Sequence, residues 1–157
     1  MGFLQSIFFF LGRLCLCAVF FIALGYVLFD FKSAEQHFVN ALCDVLTACM
    51  SHARLQEIFE MAINKSFTLM AAGICMTFLG ALLLLCGLAV RLGAFLLLCV
   101  LIPATLLFHP FWMHQGPERG GMMALFVKNI GIAGALFLLL AYGRKKNKKE
   151  KKKSADT

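Results

Sequence analysis

Residues 67–90 read FTLMAAGICMTFLGALLLLCGLAV, twenty-four positions without a charge. A helix needs roughly 20 apolar residues to cross the hydrocarbon of a bilayer, so this stretch predicts a membrane span. Gly73, Gly80 and Gly87 recur a heptad apart within it. Glycine is a poor helix former, and a stripe of it in a membrane helix marks a place where another backbone comes close.

Three further spans follow on either side. Residues 4–29 form an apolar run interrupted only by Arg13. Without a basic leader or a small-x-small cleavage pattern, this run reads as a span rather than a cleaved signal peptide. Arg91 marks a short turn into a third span over 92–112, where Pro103 removes a backbone donor and crowds the carbonyl of Cys99, predicting a kink. The last apolar run, 129–142, is too short to cross alone. It must recruit 122–127, giving a span over 122–142 with Lys128 inside the membrane. The expected fold is all-α, an integral membrane four-helix bundle occupying residues 1–143.

Composition points the same way: 61% of the 157 residues are hydrophobic, 15% are charged, and the mean hydropathy is +0.85. No soluble catalytic domain fits beside four spans. The net charge of +7 is concentrated after Gly143, where eight Lys or Arg stand against Glu150 and Asp156. Residues 144–157 therefore read as a basic, disordered cytoplasmic tail lying on anionic headgroups; with no fold left to present its charge, nucleic acid is not an expected partner. Cys15, Cys17, Cys75, Cys86 and Cys99 lie in apolar runs and act as small hydrophobes. Cys43 and Cys49, six apart on one helix, point about 120° apart and should not bridge. No spacing suggests a metal set.

Residues 31–66 differ. Ser33 and Gln36 resemble a capping box, and Phe38, Leu42, Val45, Leu46 and Cys49 follow at helical spacing. This is the pattern of an amphipathic segment lying at the interface in the first extracytoplasmic loop, with a second short helix over 55–64. Its acidic balance suits the translocated side. Nine Lys or Arg, Arg91 and the eight of the tail, stand against Lys32, Arg54, Lys65 and Arg119 opposite. Both termini are expected in the cytoplasm.

That orientation gathers unusual polar groups at the outer end: His109 and Trp112 at the exit of span three, Lys128 and Asn129 near the start of span four, Tyr26 and Asp30 at the exit of span one. An ionisable group at membrane depth defaults to a functional role and implies a partner. Arg13 either snorkels to headgroups or pairs inside the bundle. His109 either ends its span before Pro110 or handles ligand or proton, and Trp112 suits an interfacial anchor. These six, Arg13, Tyr26, His109, Trp112, Lys128 and Asn129, are the candidate binding residues. No catalytic residue can be named, because no nucleophile with an obvious base and no nucleotide motif is present.

Gly12-Arg13, Leu85-Cys86-Gly87-Leu88 with Arg91, Ala104-Thr105-Leu106-Leu107-Phe108-His109-Pro110-Phe111-Trp112, and Phe126 with Lys128-Asn129 together resemble the DoxX family of small four-span bacterial membrane proteins. The sequence departs from that family at Met76, where a glutamate is common, and in its longer first loop. The resemblance implies a bacterial inner-membrane protein and a redox-associated membrane subunit. It would bind a quinone or a small anionic sulfur or thiol compound at its outer face, with electrons supplied by a periplasmic or cytoplasmic redox protein. The alternative, from a different class, is a non-enzymatic membrane scaffold or small-solute carrier.

Overall fold

The computed structural model describes residues 3–48 and 53–143, and over these the chain is helical throughout, with short turns. Helix α1 spans Phe3–Phe29, α2 Phe31–Ala48, α3 Ala53–Asn64, α4 Ser66–Cys86, α5 Val90–Phe108 and α6 Pro117–Tyr142, with a 3₁₀ turn at Phe111–Met113 between the last two. Four of these, α1, α4, α5 and α6, are long and apolar enough to cross a membrane. The protein is an all-α membrane helical bundle.

The span boundaries shift from the hydropathy reading where backbone chemistry decides them. Helix α4 stops at Cys86 because Gly87 takes a left-handed conformation (φ 67°) and its N–H closes on Leu83 O at 3.1 Å. Arg91 consequently lies in the first turn of α5 rather than in the connection. Helix α6 starts at Pro117, five residues before the expected 122, after Gly116 at φ 66°. Proline is favoured at the first helical position, where its missing N–H costs nothing, and Glu118 complements the helix N-terminus. Pro103 sits inside an α5 that continues to Phe108.

Packing is organised around α4 and α5, with α1 laid on α4 and α6 on α5. The core joins Cys17 and Phe20 of α1, Ala81 and Leu84 of α4, Val90, Ala94, Leu97 and Leu98 of α5, and Leu136 of α6. The Cys17 thiol donates to Ala81 O at 3.3 Å. Gly80 and Gly93 face each other across the α4–α5 crossing: a Cβ on Gly93 would come within 2.7 Å of Gly80 O. The heptad of glycines therefore divides three ways. Gly80 permits close approach, Gly87 makes the left-handed stop, and Gly73 faces open space.

The amphipathic loop segment is helical as expected and is tied to the bundle by side-chain contacts. Helix α2 packs on α4 and α5. Phe31 stacks edge-on to Phe67 at 5.5 Å, Phe38 meets Phe108 at 6.2 Å, and Ser66 Oγ donates to Glu35 Oε1 at 3.0 Å. Its cap is Asp30, whose Oδ1 accepts the Ser33 N–H at 3.2 Å, so Ser33 occupies the third helical position instead of the cap. Cys43 is a free thiol, and Cys49 lies outside the described residues.

Candidate functional site

The exit of α1, the start of α4, the exit of α5 and the start of α6 share one end of the bundle, and here the polar residues converge. Thr105, 7% exposed, donates its hydroxyl to Leu101 O at 2.6 Å, one turn back on α5. The Thr105 hydroxyl oxygen in turn accepts a hydrogen bond from Asn129 Nδ2 of α6 at 3.1 Å. A hydroxyl can do both at once, so a donor chain Asn129 to Thr105 to Leu101 ties α6 to α5.

His109 follows one turn later as the cap residue of α5, its N–H donating to Thr105 O at 3.1 Å. Pro110 next to it favours an extended conformation at His109 over the helical one, which is why α5 ends here. The His109 Nδ1 is buried and completes no hydrogen bond, although the backbone of Phe108 lies close enough to act on the ring. Beyond it, Phe111, Trp112 and Phe126 pack edge to face, with centroids 5.1 Å apart for Phe111–Trp112 and Phe111–Phe126 and 5.9 Å for Trp112–Phe126. Trp112 is 53% exposed, as suits a ring anchored at the headgroup level.

Lys128 acts electrostatically on His109 but turns outward from α6, exposed, with no ion pair or hydrogen bond among the described residues. Tyr26 is 83% exposed near the end of α1. Arg13 is at the opposite end: it packs against Gly87 at the close of α4, and its buried Nε has no hydrogen-bond partner. Of the six candidates the structure brings together His109, Trp112 and Asn129, with Lys128 beside them, and leaves Tyr26 and Arg13 apart.

The cavity at this place is a cleft of about 110 Å³ lined chiefly by Leu101, Ile102, Leu106 and Phe126, with Thr105 and Asn129 as its polar members. A second groove, of about 370 Å³ around Phe95, Cys99, Pro103 and Phe137, has an entirely apolar lining. Small-molecule pockets hold roughly 300–1,000 Å³ and orient their ligand with a few placed polar groups. The polar cleft is below that size, and the larger groove lacks polar groups.

Two features escaped the sequence reading. Thr105 was legible only as a hydroxyl residue within a span, a recurrent sign of interhelical hydrogen bonding. Arg91 has partners that no local pattern discloses: its Nε donates to Gly143 O at 3.0 Å and its second terminal nitrogen to Ala141 O at 2.8 Å. It caps the C-terminus of α6 from the first turn of α5, where carbonyls have no partner of their own.

Fold and polar residues together define a four-span helical membrane protein in which the end of the bundle holding His109 and Trp112 is closed by interhelical hydrogen bonds and aromatic packing. Residues 4–142 match the family described as HR-like lesion-inducing, and the chain belongs to that family. The match overturns the DoxX resemblance. The most specific of the pieces that carried it, His109-Pro110-Phe111-Trp112 and Lys128-Asn129, therefore do not mark that family here. No curated protein and no solved structure matches the chain.

Proposed function

We propose that the protein is a non-enzymatic scaffold of the membrane, serving the lesion induction for which its family is described. The observation that carries this is the Asn129–Thr105–Leu101 hydrogen-bond chain: polar groups inside the bundle hold helices to one another instead of lining a ligand-sized cavity. The redox reading took its quinone, its sulfur compound and its redox partner from the overturned resemblance, and His109 with its unpaired nitrogen is what speaks for it now. The bacterial inner membrane came from the same source and has lost that support. The proposal keeps both termini on the cytoplasmic side, supported by the basic tail and by Arg91 and Arg13 at the same end of the bundle.

His109→Gln tests the proposal, because it keeps polarity and abolishes proton exchange and ring chemistry. Lesion-inducing activity, scored as loss of viable cells on expression, should follow the amount of folded protein and match the parent. Full-length, folded His109→Gln protein without activity would instead place chemistry at the outer end.

A further inference from the structure

Alternating steps of three and four residues along α6 connect Gly121, Ala124, Lys128, Gly131, Ala135 and Leu138. This is the spacing of a seam along which two helices cross at a shallow angle. The face turns away from α5, which is met by Asn129 and the fully buried Leu136; along it all six residues are exposed except Ala135, which is half-buried. The small residues are not needed by the bundle itself. A Cβ on Gly121 or Gly131 meets nothing within 4 Å, in contrast to Gly80 and Gly93. Small residues on a membrane-helix face let a second backbone come near.

Lys128 states what that second helix carries. It lies eleven residues, about three turns, into the candidate span Pro117–Tyr142, where an unpaired ammonium is costly. Its neighbour His109 offers no negative charge. The chain's carboxylates are Asp30, Glu35, Asp44, Glu57, Glu60, Glu118, Glu150 and Asp156, and among the described residues none of them pairs with Lys128. The nearest along α6, Glu118, is ten residues away, roughly 15 Å of helix rise. A second copy packed in parallel would set Lys128 against Lys128. We propose that this face of α6 docks a transmembrane helix of another protein bearing an Asp or Glu at the depth of Lys128. The proposal rests on the scaffold reading and names its partner's chemistry.

The test reconstitutes the full chain in phosphatidylcholine vesicles with labelled single-span alanine–leucine helices. These carry either one Asp in the outer third or Leu at the same place, and association is read by energy transfer. The Asp helix should associate at least tenfold more strongly than the Leu helix. Lys128→Met and Gly131→Leu should each reduce it to the Leu level, while Lys128→Arg should retain part of the preference. Both substitutions face lipid, so their folded yield, read by size-exclusion chromatography, should equal the parent's. Equal association of the two helices, or an Asp preference that survives Lys128→Met, would overturn the proposal. So would loss of the preference on adding phosphatidylglycerol, since a lipid phosphate would then occupy the ammonium. These outcomes are separate from the scaffold reading, which His109→Gln tests through lesion activity and which a failure of helix docking leaves standing.

Discussion

At the scale of single residues, the same amino acid does different work according to what faces it. Gly73 and Gly80 stand one heptad apart on α4, but a Cβ on Gly80 would meet Leu97 Cγ at 3.0 Å and Gly93 O at 3.1 Å, whereas one on Gly73 meets nothing within 4 Å. Gly80→Val should therefore destabilise by about 1–3 kcal/mol, the usual cost of overpacking, with the backbone carbonyl of Gly93 unable to yield. Gly73→Ala should be neutral or stabilising by up to about 1 kcal/mol through helix propensity. Denaturant-driven unfolding in mixed micelles measures both, and a Gly80→Val protein as stable as Gly73→Ala would refute the close crossing. Asn129→Leu should cost about 0.6–2 kcal/mol in the same assay, the range of interhelical hydrogen bonds in membranes. Thr105 keeps its bond to Leu101 O in that variant, so no buried hydroxyl is left unpaired. The heptad was plain in the sequence; which of its glycines touches a neighbour depends on crossing geometry, which residue spacing does not contain.

At the scale of elements, long apolar runs betray membrane helices because a span must satisfy its backbone internally and face lipid along most of its surface. All four spans were legible for that reason, even α6 with Lys128 in it. The helix ends at Phe29, Asn64 and Tyr142 were legible as well; the ends that were not depend on partners distant in sequence or on a competition between neighbouring caps. Ser33 with Gln36 fits the capping pattern, yet Asp30, three residues earlier, takes the N-terminal N–H. Asp30→Ala should accordingly cost about 1 kcal/mol and raise amide exchange in the first turn of α2, while Ser33→Ala should do neither. Arg91 is the counterpart at the other end, reaching two carbonyls some fifty residues away. Arg91→Met should cost about 1–3 kcal/mol, because its two bonds are charge-assisted but half-exposed. Amide exchange should rise selectively in the last turn of α6 and at Gly143. Unchanged exchange there would mean that the α6 terminus does not depend on Arg91. The candidate site was half legible by the same logic: residues near one helix exit, His109 and Trp112, belong together in sequence and in space, whereas Arg13 joined them only by being ionisable.

At the scale of the whole molecule, the distribution of basic residues between the two ends of the bundle leads to a prediction of its orientation in the membrane. The Arg91 bonds hold the start of α5 beside the end of α6, and Arg13 meets Gly87 at that end, so the basic tail emerges where two other arginines already lie. Lys32, Arg54, Lys65 and Arg119 belong to the connections of the opposite end. Lys and Arg flanking short connections are retained on the cytoplasmic side. A reporter fused after Thr157 should thus be active only if it requires the cytoplasm, and one inserted near Ser51 only if it requires the far side. The tail decides this balance. With its eight cations replaced by glutamine, Arg13 and Arg91 face four basic residues opposite, and the chain should insert in mixed or inverted orientation. A tail-neutralised protein that kept a single, unchanged orientation would show that the span sequences themselves, and not the flanking charge, set the topology, and would remove the ground for calling the His109 end the outer one.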